Sequence, residues 1–194
     1  MSEQNSTTAY ATLKSRFARL SALGGAQAVL HWDRATMMPE GGAGARAEQQ
    51  ATLSLIAHET LTAPETADLL ASAGDSADAL ADWDRANLNE MGRIHRHATA
   101  TPTDLVSKLS YQKSKTEMIW RKARAANDFA SLAPELTTLV ALVREQAAAK
   151  AEAFGLTPYD ALLDGYDPDR RSADIDRLFT DLEGFLPDLL KRVM

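Results

Sequence analysis

Apolar residues recur at every third or fourth position along nearly the whole chain. The first such run consists of Tyr10, Leu13, Phe17 and Leu20. This spacing places apolar side chains on one face of an α-helix, whereas a half-buried strand needs strict alternation. Even the most strand-prone stretch, residues 136–140, continues into residues 141–145 with helical spacing. The sequence therefore predicts an all-α fold.

Glycine, proline and hydroxyl residues predict where these helices begin and end. Gly24 and Gly25 should stop the first helix, and a second short helix should run over residues 26–37 before a loop at residues 38–42. Threonines at 62, 101 and 157 each precede an acidic residue by three positions, a spacing typical of helix N-caps. Ser172 is a further candidate cap, and Gly74 and Gly155 are candidate C-terminal stops.

Three further helices are expected over residues 77–98, 102–126 and 132–154. The second of them should bury one apolar face, whose members are Leu105, Leu109, Ile119 and Trp120. Residues 175–193 form a strongly apolar helical run in which Pro187 should introduce a bend or a restart. We interpret this run as a helix whose partners lie in a missing C-terminal portion, and expect it to dock there or to self-associate as a homodimer.

Composition excludes several classes of protein. The chain has 194 residues, a net charge of −6 and no cysteine. Disulfides, thiolate zinc sites and thiol nucleophiles are therefore absent, which favours a reducing, cytoplasmic location. No segment approaches the length of a membrane span, and the N-terminus lacks the pattern of a signal peptide. The acidic balance argues against a nucleic-acid surface, so we interpret the basic residues between 108 and 124 as a solvated helix face.

The possible metal donors do not form a recognisable site in the sequence. His58 and Glu59 resemble the start of an HExxH zinc helix, but Thr62 occupies the position of the second histidine. His95 and His97 would lie about 200° apart around a helix, so they cannot easily share one metal. The acidic stretch 164–169 lacks the ligand spacing of a calcium loop. We therefore predict that this chain binds no metal by itself and contains no catalytic residue.

Residues 30–49 carry an unusual combination of aromatic, charged, hydroxyl and turn-forming residues. Its distinctive members are Leu30, Trp32, Asp33, Thr36, Met38, Pro39, Gly41, Gly42, Arg46 and Gln49. The proline and the two glycines predict a constrained turn between two helices, and Asp33 could form an ion pair with either Arg34 or Arg46. We expect Leu30, Trp32 and Met38 to be buried structural anchors.

This segment resembles the carboxypeptidase Taq family of HExxH metallocarboxypeptidases. Further similarity lies in Trp120 with Ala123–Arg124, in Asp128–Phe129, in residues 143–145 and in residues 157–164. The resemblance implies that the chain is the multi-helix N-terminal part of a larger enzyme with a saddle-like fold. That enzyme would remove residues from peptide C-termini. It also implies a zinc or cobalt ion in the complete enzyme, held by residues beyond this chain. The segment would then form a wall of the peptide groove and be inactive alone. A free-standing helical interaction module is the alternative.

Overall fold

The computed structural model describes residues 2–194, and over that range the chain is helical and contains no strand. Its helices are α1 (Ser2–Thr36), α2 (Ala43–Thr62), α3 (Pro64–Gly74), α4 (Asp82–Thr99), α5 (Thr103–Ala126), α6 (Phe129–Phe154), α7 (Pro158–Leu163) and α8 (Ser172–Val193). Short 3-10 helices occupy Glu40–Gly42 and Ala77–Ala79. The prediction of an all-α fold is confirmed. None of the helices in the described range is both long and apolar enough to cross a membrane.

The chain divides into two compact units, Met1–Thr99 and Ala100–Met194. The core of the first unit forms where α1 packs against α3 and α4. Its buried members are Ala9, Tyr10, Leu13, Ala73, Leu88 and Met91. The Tyr10 hydroxyl donates to Asp84 Oδ1 at 2.7 Å and accepts from Asn87 Nδ2 at 3.0 Å. The buried phenol of Tyr10, at the edge of this core, therefore has hydrogen-bond partners for its hydroxyl group.

The remainder of α1 lies antiparallel to α2. Gln27 Nε2 donates to Ser54 Oγ at 2.6 Å, and the Asp33 carboxylate meets Arg46 further along the pair. The predicted stop at Gly24 and Gly25 is wrong, because α1 continues through both glycines. Neither adopts a positive φ, and contacts with α2 before and after the pair offset the helix-weakening effect of glycine.

In the second unit, α5 and α6 pack side by side around a polar contact. Gln112 is buried, and its Nε2 donates to the Glu135 carbonyl at 3.1 Å and to Glu135 Oε2 at 2.8 Å. Lys115 Nζ lies 2.8 Å from the other carboxylate oxygen of Glu135. These two partners hold the pKa of Glu135 below its ordinary value, the lysine being the larger cause. One glutamate of α6 therefore fixes two side chains of α5.

Of the three predicted threonine caps, only Thr157 is confirmed. Its hydroxyl accepts from Asp160 N at 3.2 Å. Thr62 instead ends α2, where its hydroxyl donates to the His58 carbonyl at 2.9 Å, and Ala63 is the residue before α3. Thr101 is buried and lies 3.3 Å from Gln146 Nε2, while Pro102 precedes α5. In both wrong cases the helix begins one residue later than the cap pattern predicts. Pro64 is the first residue of α3, and Pro102 stands at the N-cap position of α5.

Helix boundaries elsewhere differ from the predictions by a few residues. The helix expected over residues 77–98 begins only at Asp82, because residues 77–79 form a separate 3-10 turn. Gly155 is confirmed as a C-terminal stop, with a φ of 66°. Leu105 and Leu109 are buried as predicted, but Trp120 is 44% exposed, so its predicted burial is wrong.

The start of α8 is held by a side chain from α7. Asp160 Oδ1 accepts from Ser172 N at 2.8 Å, so the predicted capping role of Ser172 itself is wrong. This backbone hydrogen bond is the main cause that lowers the pKa of Asp160. The helix then continues through Pro187 to Val193 without the predicted restart. None of its side chains is buried.

Candidate functional site

The distinctive residues of segment 30–49 meet where α1 ends and α2 begins. The Asp33 carbonyl accepts from both Met37 N and Met38 N at 2.9 Å, which closes the last turn of α1. Thr36 Oγ1 donates to the Trp32 carbonyl at 2.8 Å, satisfying a second carbonyl near the helix end. The same hydroxyl-to-carbonyl bond occurs at Thr137 and Thr180 within other helices, so it does not by itself explain why Thr36 stands at this position.

The turn brings Gly42 close to the side chain of Met38. A Cβ at position 42 would lie 3.2 Å from Met38 Cγ and 3.8 Å from two ring carbons of Pro39. The Gly42 amide also donates to the Pro39 carbonyl at 2.9 Å. Gly41 has open space around it, so nothing in the structure explains why that position needs a glycine.

An ion pair joins the two helices on either side of this turn. Arg46 Nη2 lies 2.6 Å from Asp33 Oδ2, and the two side chains are 22% and 27% exposed. Of the two partners that the sequence left open for Asp33, the structure selects Arg46. Arg34 instead lies 3.5 Å from His31 Nδ1 on the same helix. The pair is partly shielded from water.

The apolar residues of the segment are less buried than predicted. Trp32 is 59% exposed, so the prediction that it is a buried anchor is wrong. Leu30 and Met38 are half-buried, and Gln49 on α2 is exposed. Trp32 lies on the solvent side of α1 because the Asp33–Arg46 pair and the Gln27–Ser54 contact occupy the side that faces α2. The last turns of α1 thus present the indole of Trp32 to solvent beside the α1–α2 turn.

The histidines do not gather into a metal centre. Within the described part of the chain, no three histidine or carboxylate side chains lie close enough to hold a metal ion. His58 lines an apolar cavity of 360 Å³ together with Phe17, Leu20, Leu61 and Ile94. Burial lowers the pKa of His95, which favours its neutral form. The donor set of the described residues therefore does not fit a catalytic metal.

The other charged segments have structural roles in the described residues. Lys108, Lys115 and Arg121 each pair with a carboxylate, at 2.8, 2.8 and 2.6 Å. This pairing supports the interpretation of the basic segment as a solvated face. In the acidic stretch, Asp164 is buried and its Oδ1 accepts from Asp169 N at 3.1 Å. That carboxylate shapes a turn between α7 and α8.

The sequence did not predict the buried hydrogen bonds of Gln112 or the bond between Asp160 and the start of α8. Gln112 lies on the apolar face of α5, where a polar residue among leucines signals a buried hydrogen bond. Asp160 carries no such signal. The cap pattern predicts a role for it at the start of its own helix, whereas its carboxylate accepts from Ser172 N, twelve positions further along the chain.

The sequence profile of the carboxypeptidase Taq (M32) metallopeptidases matches residues 12–194. The chain belongs to this family, so the resemblance drawn from segment 30–49 and the downstream motifs is confirmed. It is 32% identical over 180 residues to thermostable carboxypeptidase 1 of Pyrococcus furiosus, covering 93% of this chain and 36% of that protein. It is 34% identical over 191 residues to thermostable carboxypeptidase 1 of Thermus thermophilus, covering 91% and 36%.

Solved structures show the same likeness. Metallocarboxypeptidase 1 of Trypanosoma cruzi superimposes with a TM-score of 0.87 at 35% identity, over 96% of this chain and 37% of that one. The carboxypeptidase of Pyrococcus furiosus gives a TM-score of 0.82 at 30% identity, over 95% and 37%. The chain therefore spans little more than a third of the length of these relatives.

Proposed function

We propose that this chain forms the N-terminal part of a metal-dependent carboxypeptidase that removes residues from peptide C-termini. The observation that carries the proposal is the TM-score of 0.87 to a metallocarboxypeptidase over 96% of the chain. The absence of cysteine supports a reducing, cytoplasmic location for the enzyme.

In this proposal the chain shapes the peptide groove and the rest of the enzyme supplies the chemistry. The described residues offer no three-ligand site, so zinc or cobalt would be held outside this segment. The turn between α1 and α2 is held by the Asp33–Arg46 pair and by the hydrogen bond from Gly42 N to the Pro39 carbonyl. We propose that the helices joined by this turn form one wall of the groove. The isolated chain is then inactive.

A chimeric enzyme tests this role directly. The matching third of the Thermus thermophilus carboxypeptidase is replaced by residues 12–194 of this chain, and the release of C-terminal amino acids from a peptide is measured with added Zn²⁺ or Co²⁺. We expect metal-dependent activity that a chelator abolishes. A chimera that melts cooperatively and binds metal but releases no amino acid would contradict the proposal.

Two controls accompany the chimera. The isolated 194-residue chain should release no amino acid and should bind no stoichiometric zinc in equilibrium dialysis. A second chimera carrying Leu55→Ala, a change at an exposed position of α2, should be as active as the first. Peptide cleavage by the isolated chain would show that the chemistry lies within this segment.

A further inference from the structure

Helix α8 is attached to its own unit mainly at its start. In the second unit α6 packs on both α5 and α7, whereas α8 packs closely along none of the three. The first turn of α8 is held by the cap from Asp160, and Arg171 Nη1 just before it lies 3.6 Å from Asp164 Oδ1. None of the side chains of α8 is buried. Because a helix in a globular protein gains most of its stability from packing its apolar side, α8 lacks the contact on which its stability depends.

One side of α8 is apolar along its length. Its members are Leu178, Leu182, Phe185, Leu186, Leu189 and Val193. Five of these side chains are between 43% and 77% exposed, and Leu182 is half-buried. The opposite side is polar and carries Thr180 and Lys191, which are also exposed. We call the six apolar residues the α8 face, and a continuous apolar face of this kind indicates a contact surface.

The length of the relatives indicates what covers the α8 face. The family profile matches this chain through residue 194, so all of α8 belongs to the shared fold. The chain spans 36% of each thermostable carboxypeptidase, which leaves nearly two thirds of those proteins outside the match. A helix that has no cover in its own part of the shared fold takes that cover from the remainder.

A second copy of this chain is a poorer occupant. Asp176 and Glu183 border the α8 face on one side, and Asp181 borders it on the other. Pairing α8 of two copies would place the carboxylates of both copies along one apolar contact. Like charges across a contact oppose association. The remainder of an enzyme need not repeat these carboxylates.

We propose that the α8 face is the surface on which the remaining two thirds of a carboxypeptidase of this family packs against this chain. The contact removes six large apolar side chains from water and gives α8 the packing that its own unit does not supply. The inference rests on the proposed function in one respect, because it takes the remainder of that enzyme as the occupant. It requires no catalytic activity.

Cysteine labelling on the two sides of α8 tests the proposal. The chain has no cysteine, so Leu189→Cys and Thr180→Cys each introduce a single thiol. The two positions are nine residues apart, which places them on opposite sides of the helix, and both are exposed. Each change is made in the 194-residue chain and in the chimera with the Thermus thermophilus carboxypeptidase. The rate of maleimide labelling is measured by mass spectrometry of segment 178–191, which contains both positions.

The expected result is protection of one side of α8 in the chimera only. In the 194-residue chain the two thiols should react at rates within about threefold of each other, because both sides of the helix are open. In the chimera the thiol at position 189 should react about tenfold more slowly or less, while the thiol at position 180 keeps its rate. Equal rates at the two positions in the chimera would overturn the proposal. So would protection of position 189 in the 194-residue chain that is lost on dilution, because a second copy would then be the occupant.

Co-expression of two separate chains covers the case in which the chimera does not fold. The 194-residue chain is tagged and expressed with the unmatched two thirds of the Thermus thermophilus enzyme. We expect the two chains to purify together, Leu189→Asp to reduce the recovered partner at least fivefold, and the matched control Thr180→Asp to leave it within about twofold. No recovery with the parent chain, or equal recovery with both variants, overturns the proposal.

These measurements separate the inference from the proposed function. A chimera that protects position 189 but releases no amino acid contradicts the proposed function and supports the contact at the α8 face. A chimera that releases amino acids but leaves position 189 as reactive as position 180 supports the proposed function and overturns the contact.

Discussion

Leu13 is the side chain through which the core of the first unit can be tested most directly. It is 0% exposed and lies among the buried side chains of α1, α3 and α4. Leu13→Ala removes three carbon atoms, which costs about 2.4 kcal/mol of transfer free energy at about 0.8 kcal/mol for each methylene. If about 40 Å³ of the vacated space stays open, the cavity adds about 1 kcal/mol. The free energy of unfolding should therefore fall by about 3 kcal/mol.

Leu55→Ala is the matched control, because it makes the same chemical change in the same unit. Leu55 is 56% exposed, so less than half of the transfer term is lost and no closed cavity forms. We expect a cost of about 1 kcal/mol. Urea unfolding followed by far-ultraviolet circular dichroism and tryptophan fluorescence measures both variants. Equal costs for the two variants, or a cost for Leu13→Ala below about 1.5 kcal/mol, would refute the assignment of the core.

Three further predictions concern single side chains. Trp32→Ala should cost about 1 kcal/mol in urea unfolding, well below the roughly 3–5 kcal/mol of a buried aromatic, because the indole is 59% exposed; a loss above 3 kcal/mol would mean that the ring is covered. Gly155→Ala should lower stability by about 1–2 kcal/mol in a thermal melt, since φ is 66° and an L side chain is strained there; an unchanged melting temperature would contradict this. The pKa of Asp160 is lowered by its hydrogen bond to Ser172 N. The stability that this bond adds to the folded chain is therefore present above the ordinary pKa of an aspartate and is lost as pH falls below about 4. Asp160→Asn should remove that part of the acid dependence of helix content, and identical acid titrations would show that this carboxylate does not hold α8.

The period of the apolar residues was sufficient to predict the fold class, because it depends only on which face of each helix is buried. Helix boundaries were less predictable, because they depend on competition between neighbouring signals. At Gly24 and Gly25 the local preference favoured a stop, but packing along α2 on both sides outweighed it. At Thr62 and Thr101 the following proline shifted the helix start.

The sequence predicted which residues form the candidate site, but it did not predict how exposed their side chains are. The turn residues of segment 30–49 identified a constrained corner, and its ion pair was one of two that the sequence allowed. The exposure of Trp32 depends on which side of α1 meets α2, which spacing within one helix does not specify. The cap of α8 by Asp160 depends on the path of the turn between them, so no local pattern could reveal it.

The uninterrupted passage of α1 through Gly24 and Gly25 gives that helix a weak point at its centre. A Cβ at either position would meet no neighbouring atom within 4 Å, so close packing does not require glycine there. Each glycine makes the helical state about 1 kcal/mol less favourable than alanine would. Amide hydrogens around the pair should therefore exchange with solvent by local opening, sooner than those near Leu13. The pair is therefore where a bend in the long helix would begin.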